Sequence, residues 1–185
     1  MKVILASASP RRQELLKNIF TEFEIIPADV DETLNDSIKA EEAAQFLARK
    51  KAEFISKKYP EALVIGSDTT VVTGEKILGK PADKNDAKNM LCLLSGKTHK
   101  VITGVSLFYN GKEKSFSEVT EVVFFNLTDN EIENYLDTDE WSDKAGAYGI
   151  QGKAGLFVEK INGDYNNVVG LPVARLNRVL NDFVL

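Results

Sequence analysis

This sequence is poor in the residues that common catalytic and structural motifs require. It has one cysteine, one histidine and one tryptophan in 185 residues. A lone Cys92 excludes an internal disulfide and a cysteine-rich metal site, and it suits a reducing, cytoplasmic setting. A lone His99, beside an extended run, leaves no Ser-His-Asp or Cys-His arrangement to propose. No stretch approaches the ~20 apolar residues of a membrane span, and the opening "VILA" is too short for a signal-peptide core. The 23 Lys and Arg are outnumbered by 28 Asp and Glu, for a net charge of −5. That balance argues against broad nucleic-acid binding, which needs many cations to displace phosphate counterions. Basic patches with interleaved aromatics, as used by single-strand binders, are also missing. Neither a Walker A lysine motif nor GxGxxG occurs, so P-loop ATPases and dinucleotide oxidoreductases are unsupported.

The residues that are present, 43% hydrophobic and 28% charged, suffice for a single domain over residues 1–185. "KVILA" reads as a short buried strand. "SPRRQELLKNIF" reads as a helix with Ser9 as N-cap and Pro10 in its first position. "FEIIPA" is a second strand, and the acidic "DVDETLND" a loop. From Ala40 to Lys58 the apolar residues Ala43, Ala44, Leu47, Ala48, Ala52 and Ile55 share one helical face, with Arg49, Lys50 and Lys51 around it. "ALVIGSD" is a buried strand ending in polar residues, and "TTVVTGEKILGKP" continues as an extended or hairpin segment. "PADKNDAKNMLCLLSGK" is a helix with Cys92 on its apolar side and Gly96 at its end. Asn110-Gly111 predicts a hairpin between two long extended runs. Thr128 and Glu131 have capping-box spacing. "DKAGAYGIQGKAGLF" is irregular, "LFVEKI" a strand and "LPVARLNRVLNDF" a closing helix. The pattern is α/β, a mixed sheet with flanking helices.

The arginine pair after Pro10 raises a question of electrostatics. Cations in a first helical turn oppose the macrodipole by roughly 0.3–1 kcal/mol each. An anion at that point turns the repulsion into attraction, and a phosphate matches both guanidinium forks. The alternative is that Arg11 and Arg12 are solvated and screened. Asp68, directly after a buried run, occupies the kind of place where α/β folds put catalytic or metal-binding groups; a turn-forming Asp is the alternative. Asp31 and Glu32 add loop carboxylates, hard ligands that suit magnesium or manganese. Lys80 lies in a constrained "LGKP", and Lys51 on its own reads as a solvated lysine on the helix flank. Gln151, between glycines, carries an amide able to donate to and accept from a base edge. Trp141 covers a site or packs at its edge. Together these residues suggest phosphoanhydride chemistry.

"LASASPRRQELL", "IGSDTTV", "LGKP", "LSGKTHKVITGV" and "DKAGAYGIQGKAGLFVEKINGDYNNVVGLP" resemble, in order and spacing, the Maf family of nucleoside triphosphate pyrophosphatases over nearly the whole chain. The resemblance implies an elongated mixed sheet with two lobes around a cleft, as in inosine triphosphate pyrophosphatases. It also implies hydrolysis of a nucleoside triphosphate to the monophosphate and pyrophosphate with a divalent cation, Mg2+ or Mn2+. By position, it makes Asp68 the proton acceptor and places substrate selection on Arg11, Thr69 and Gln151. Phosphate binding falls on Arg12, Lys51 and Lys80, with Ser9 and Glu32 at polar positions of the same pocket; Ser9 is then expected to help hold phosphate, and Asp68 with help from Glu32 to hold the metal. An uninterrupted SPRR, Thr69 after Asp68 and Gln151 in "YGIQG" resemble the dTTP/UTP branch rather than the 7-methyl-GTP branch; Ser67 departs from that branch's usual alanine. A homodimer is what the resemblance suggests, while the acidic balance and short apolar runs point away from a nucleic-acid or membrane partner. A second reading is a nucleotide-responsive regulator of septum formation that acts through a protein partner.

Overall fold

The computed structural model describes residues 1–35 and 37–184. Among these residues seven strands form one mixed sheet: β1 (Val3–Leu5), β2 (Glu24–Ile25), β3 (Leu63–Thr73), β4 (Lys76–Leu78), β5 (Thr98–Tyr109), β6 (Lys112–Phe124) and β7 (Val158–Asn162). Their order is β2-β1-β3-β5-β6-β7, with β4 paired to β3. The helices are α1 (Pro10–Leu16), α2 (Ala43–Ser56), α3 (Lys84–Leu94), α4 (Asp129–Leu136), α5 (Tyr165–Val169) and α6 (Val173–Val184). The chain divides into two compact units. One comprises Met1–Thr69, Thr103–Glu118 and Gly170–Leu185; the other comprises Thr70–Ile102 and Val119–Val169.

In the first unit β1 pairs in parallel with β2 and β3. Side chains alternate across a strand, so Val3, Leu5, Leu63 and Ile65 face one core with Leu16, Leu171, Leu176 and Leu180. Ile4, Ala6 and Val64 face the other, with Ala52 and Ile55 of α2. This double burial explains why β1 and the start of β3 are continuous apolar runs. Helix α2 lies unusually close to the sheet. A Cβ on Gly66 would stand 2.3 Å from the Ala48 carbonyl oxygen, and one on Gly104 would stand 2.3 Å from the Gln45 nitrogen. Glycines on the strands and alanines on the helix permit that approach.

In the second unit β4 and β7 pair antiparallel with β3 and β6. Leu91 and Leu94 of α3, Ile132 and Leu136 of α4, Phe124 and Phe157 share its core. Thr128 and Glu131 form the expected capping box. Trp141 packs in this core, its indole N–H donating to the Leu136 carbonyl at 2.9 Å. Between β5 and β6, Asn110 and Gly111 both take positive φ, 48° and 76°, the requirement of the hairpin turn that their sequence predicts.

Several expectations need correction. Cys92 is exposed: the buried stripe of α3 is Ala87, Leu91 and Leu94, and one residue beyond Leu91 turns the side chain by about 100° away from it. "FEIIPA" contributes only the two paired residues of β2. Asp68 does not end its strand, because β3 continues through Thr69, Thr70, Val71 and Val72, β-branched residues that favour extended backbone. The short helix α5 had no clear signal in the sequence.

Candidate active site

The site in the first unit is assembled from β1, α1, α2, β3 and the turn before α6. Ser9 caps α1, its hydroxyl accepting from the Arg12 backbone N–H at 3.4 Å. That places Arg11 and Arg12 in the first turn, as read from the sequence. The Arg12 side chain folds inward rather than into water. Its Nε donates to the Gly170 carbonyl at 2.9 Å, one terminal nitrogen to Ser7 Oγ at 3.3 Å, and the other to Thr69 Oγ1 at 2.9 Å. Thr69 Oγ1 also lies 2.9 Å from Thr103 Oγ1. Burial pulls the Arg12 guanidinium below its ordinary pKa; Asp68 opposes the effect, Arg11 adds to it and Glu32 opposes it more weakly. Those influences put both carboxylates and both arginines within one electrostatic neighbourhood.

A second cluster centres on Lys51. Its ammonium lies 2.6 Å from Asp68 Oδ1 and 2.9 Å from Glu32 Oε1. The close packing of α2 on Gly66 brings Lys51 to Asp68, two residues further along β3. Lys51 is therefore buried, and the solvated-lysine reading is overturned. Nearby, Asp31 caps its own turn by accepting from the Thr33 N–H at 2.9 Å and its hydroxyl at 2.6 Å. These bonds hold the Asp31 carboxyl below its usual range.

Lys80 and Gln151 belong to the second unit, and both are exposed. The Gly79 carbonyl accepts from the Gly146 N–H at 3.0 Å, tying the loop of Lys80 to the segment leading to Gln151. On the far side of Gln151, the Lys153 N–H donates to Glu140 Oε2 at 2.9 Å. His99 takes no part in these clusters. It is buried with its Nε2 2.7 Å from Tyr148 Oη, and burial pushes the imidazole down to about 4.

No group of three or more His, Cys, Asp or Glu among the described residues could cage a metal. The donors present nonetheless fit a hard divalent ion. Asp68 and Glu32 converge on one point of positive charge, and magnesium-like ions take one or two carboxylates and complete their shell with water and phosphate oxygens.

Ser7, Thr103 and Gly170 were given no role by sequence reasoning although each lies in a run that carries the resemblance, and Ser67 was noted only as a departure from alanine beside Asp68; Gly170 meets Arg12 across most of the chain length.

Residues 2–183 match the family model described as Maf-like protein. The chain is 55% identical over 185 residues to a protein of Carboxydothermus hydrogenoformans named dTTP/UTP pyrophosphatase, covering 99% of each. It is 50% identical over 182 residues to one of the same name from Bacillus pumilus, covering 98% of this chain and 96% of that one. Among solved structures, the Ham1 protein of Staphylococcus aureus superposes with a TM-score of 0.57 at 15% identity, over 98% of this chain and 99% of that one. At that identity the likeness concerns the fold. With its arginine-bearing first turn, its buried Asp68–Lys51 pair and a family match running nearly end to end, the chain belongs to the Maf-like protein family.

Proposed function

We propose that this chain hydrolyses dTTP and UTP to the nucleoside monophosphate and pyrophosphate, with Asp68 as proton acceptor. The observation that carries the reading is the Asp68–Lys51–Glu32 cluster beside a guanidinium locked in place at Arg12. The names of the relatives supply the substrate class.

Asp68 orients a water and takes its proton as the water oxygen bonds to the α-phosphorus. The bond from that phosphorus to the bridging oxygen breaks, and pyrophosphate departs. Lys51 and Arg12 offset the charge that accumulates on the leaving group. A divalent cation, held by Asp68 and Glu32, would supply further charge neutralisation at the phosphate oxygens. The roles implied for Ser9 and Lys80 in phosphate binding, and for Arg11, Thr69 and Gln151 in choosing the base, belong to the same proposal. So do the homodimer and the cytoplasmic setting; no helix among the described residues is long and apolar enough to cross a membrane.

The test is pyrophosphate release from a panel of nucleoside triphosphates with magnesium, manganese or chelator, for the wild type and Asp68→Asn. We expect release favouring dTTP and UTP, and a loss of about 10²–10⁴-fold in the variant, which keeps the native circular dichroism spectrum but melts at a lower temperature because Lys51 loses a partner. A fully active Asp68→Asn would remove Asp68 from the reaction. A protein that binds these triphosphates but releases nothing would be a nucleotide sensor.

A further inference from the structure

Gly170 carries a carbonyl shared by two donors from elsewhere in the fold. It accepts from Arg12 Nε at 2.9 Å and from the Ser67 hydroxyl at 3.2 Å. Ser67 is fully buried and Gly170 is buried. The Gly170 φ is +129°, and a Cβ there would stand 3.5 Å from Arg12 Nε and 3.6 Å from Thr69 Oγ1. Those distances are ordinary contacts, so space does not demand glycine. The backbone angle does, since side-chain-bearing residues rarely adopt it.

A guanidinium has five N–H donors in a rigid plane. For Arg12, one goes to Gly170, one to Ser7 and one to Thr69. Three bonds from three directions fix the plane, and two donors remain. All three acceptors are neutral oxygens, while Asp68 is bonded to Lys51 instead. A half-buried guanidinium whose hydrogen-bond acceptors are all neutral oxygens, beside an Asp68 already held by Lys51, offers its remaining donors to a ligand, and the ligand they suit is an anion.

We infer that Gly170 is a positioning residue for anion binding: its carbonyl, steadied by the Ser67 hydroxyl, holds the Arg12 fork in the plane from which its two remaining donors reach a phosphate oxygen. The identity of that phosphate as part of a nucleotide rests on the function proposed above. The geometry of the fork does not.

The experiment measures the affinity of inorganic pyrophosphate by calorimetry for the wild type, Gly170→Ala, Ser67→Ala and Arg12→Gln, and for each of the first two substitutions combined with Arg12→Gln. An alanine at residue 170 relaxes towards negative φ and swings the carbonyl away from Arg12. Gly170→Ala is expected to weaken pyrophosphate binding about tenfold, and Ser67→Ala about threefold, each by misaligning a charge-assisted contact. In the Arg12→Gln background neither should weaken it further, because the fork through which they act is gone. Equal losses in both backgrounds, unchanged affinity in Ser67→Ala, or no pyrophosphate binding to the wild type would each overturn the inference. Ser67→Ala introduces no backbone strain, so it decides the matter if Gly170→Ala does not fold. Wild-type turnover of dTTP and UTP is followed in parallel. Its absence alongside an intact affinity cycle would sink the proposed reaction and leave the role of Gly170 standing.

Discussion

The Lys51 ammonium stands between two carboxylates, and this pairing sets what each member can do. It gives Asp68 a cationic partner in a place where an unpaired carboxylate would be costly, and it brings Glu32 in from an exposed loop. Removing one partner of such a pair strands the other. Lys51→Met should therefore lower stability by about 2–4 kcal/mol at neutral pH. Adding Asp68→Asn should recover most of that loss, since removing both charges leaves little to compensate. Denaturant unfolding of the four proteins of this cycle measures it; a Lys51→Met protein as stable as the wild type would contradict the pairing. At this scale the sequence was partly legible. Ser9, Pro10, Arg11 and Arg12 form a local pattern whose capping could be read directly. Lys51 could not be read, because its partner lies 17 residues away on another element, and a lone lysine on a helix flank has the same sequence signature whether solvated or buried.

Helices and strands take their positions here from small residues as much as from large ones. The alanine-rich face of α2 was visible as a hydrophobic stripe, but its closeness to the sheet depends on Gly66 and Gly104, which the sequence offers without a reason. A methyl at residue 66 would meet the Ala48 carbonyl at 2.3 Å and the Ala52 Cβ at 2.8 Å. Gly66→Ala should cost about 1–3 kcal/mol by overpacking. It should also lower kcat/KM, because pushing α2 outward carries Lys51 away from Asp68. Thermal melts and steady-state kinetics read the two effects; an unaffected melting temperature would show that the helix is not seated as described. The hairpin at Asn110-Gly111, the capping box at Thr128 and the closing helix α6 were legible because each is set by residues close in sequence. Asp68 within β3, rather than at its end, was not. Whether a strand stops depends on whether a neighbour continues to pair with it, and β4 does so from Val71 onward.

For the molecule as a whole, His99 links stability to pH. Its folded value of about 4, lowered by burial, lies below the 6.5 of an unconstrained imidazole. The unfolded chain therefore binds the extra proton between those values. The contribution is complete above about pH 6.5 and is lost as pH falls towards 4, amounting to about 2–3 kcal/mol by pH 4.5. His99→Phe should remove this dependence, so the drop in unfolding free energy between pH 7 and pH 4.5 should shrink by that amount. An equal drop in both proteins would mean that His99 is protonated in the fold.

The sequence by itself determined most of the elements, the α/β class and the placing of two arginines in a capped first helical turn, because periodicity, capping and charge within one turn act over a few residues. It also carried the family resemblance, since that is a property of order and spacing. Only the tertiary structure decided that Lys51 is buried against Asp68, that Cys92 faces outward, and that Arg12 is held by Ser7, Thr69 and Gly170. Those outcomes depend on which distant residues share a small volume, and burial, charge pairing and hydrogen-bond geometry are settled only once the chain has closed on itself.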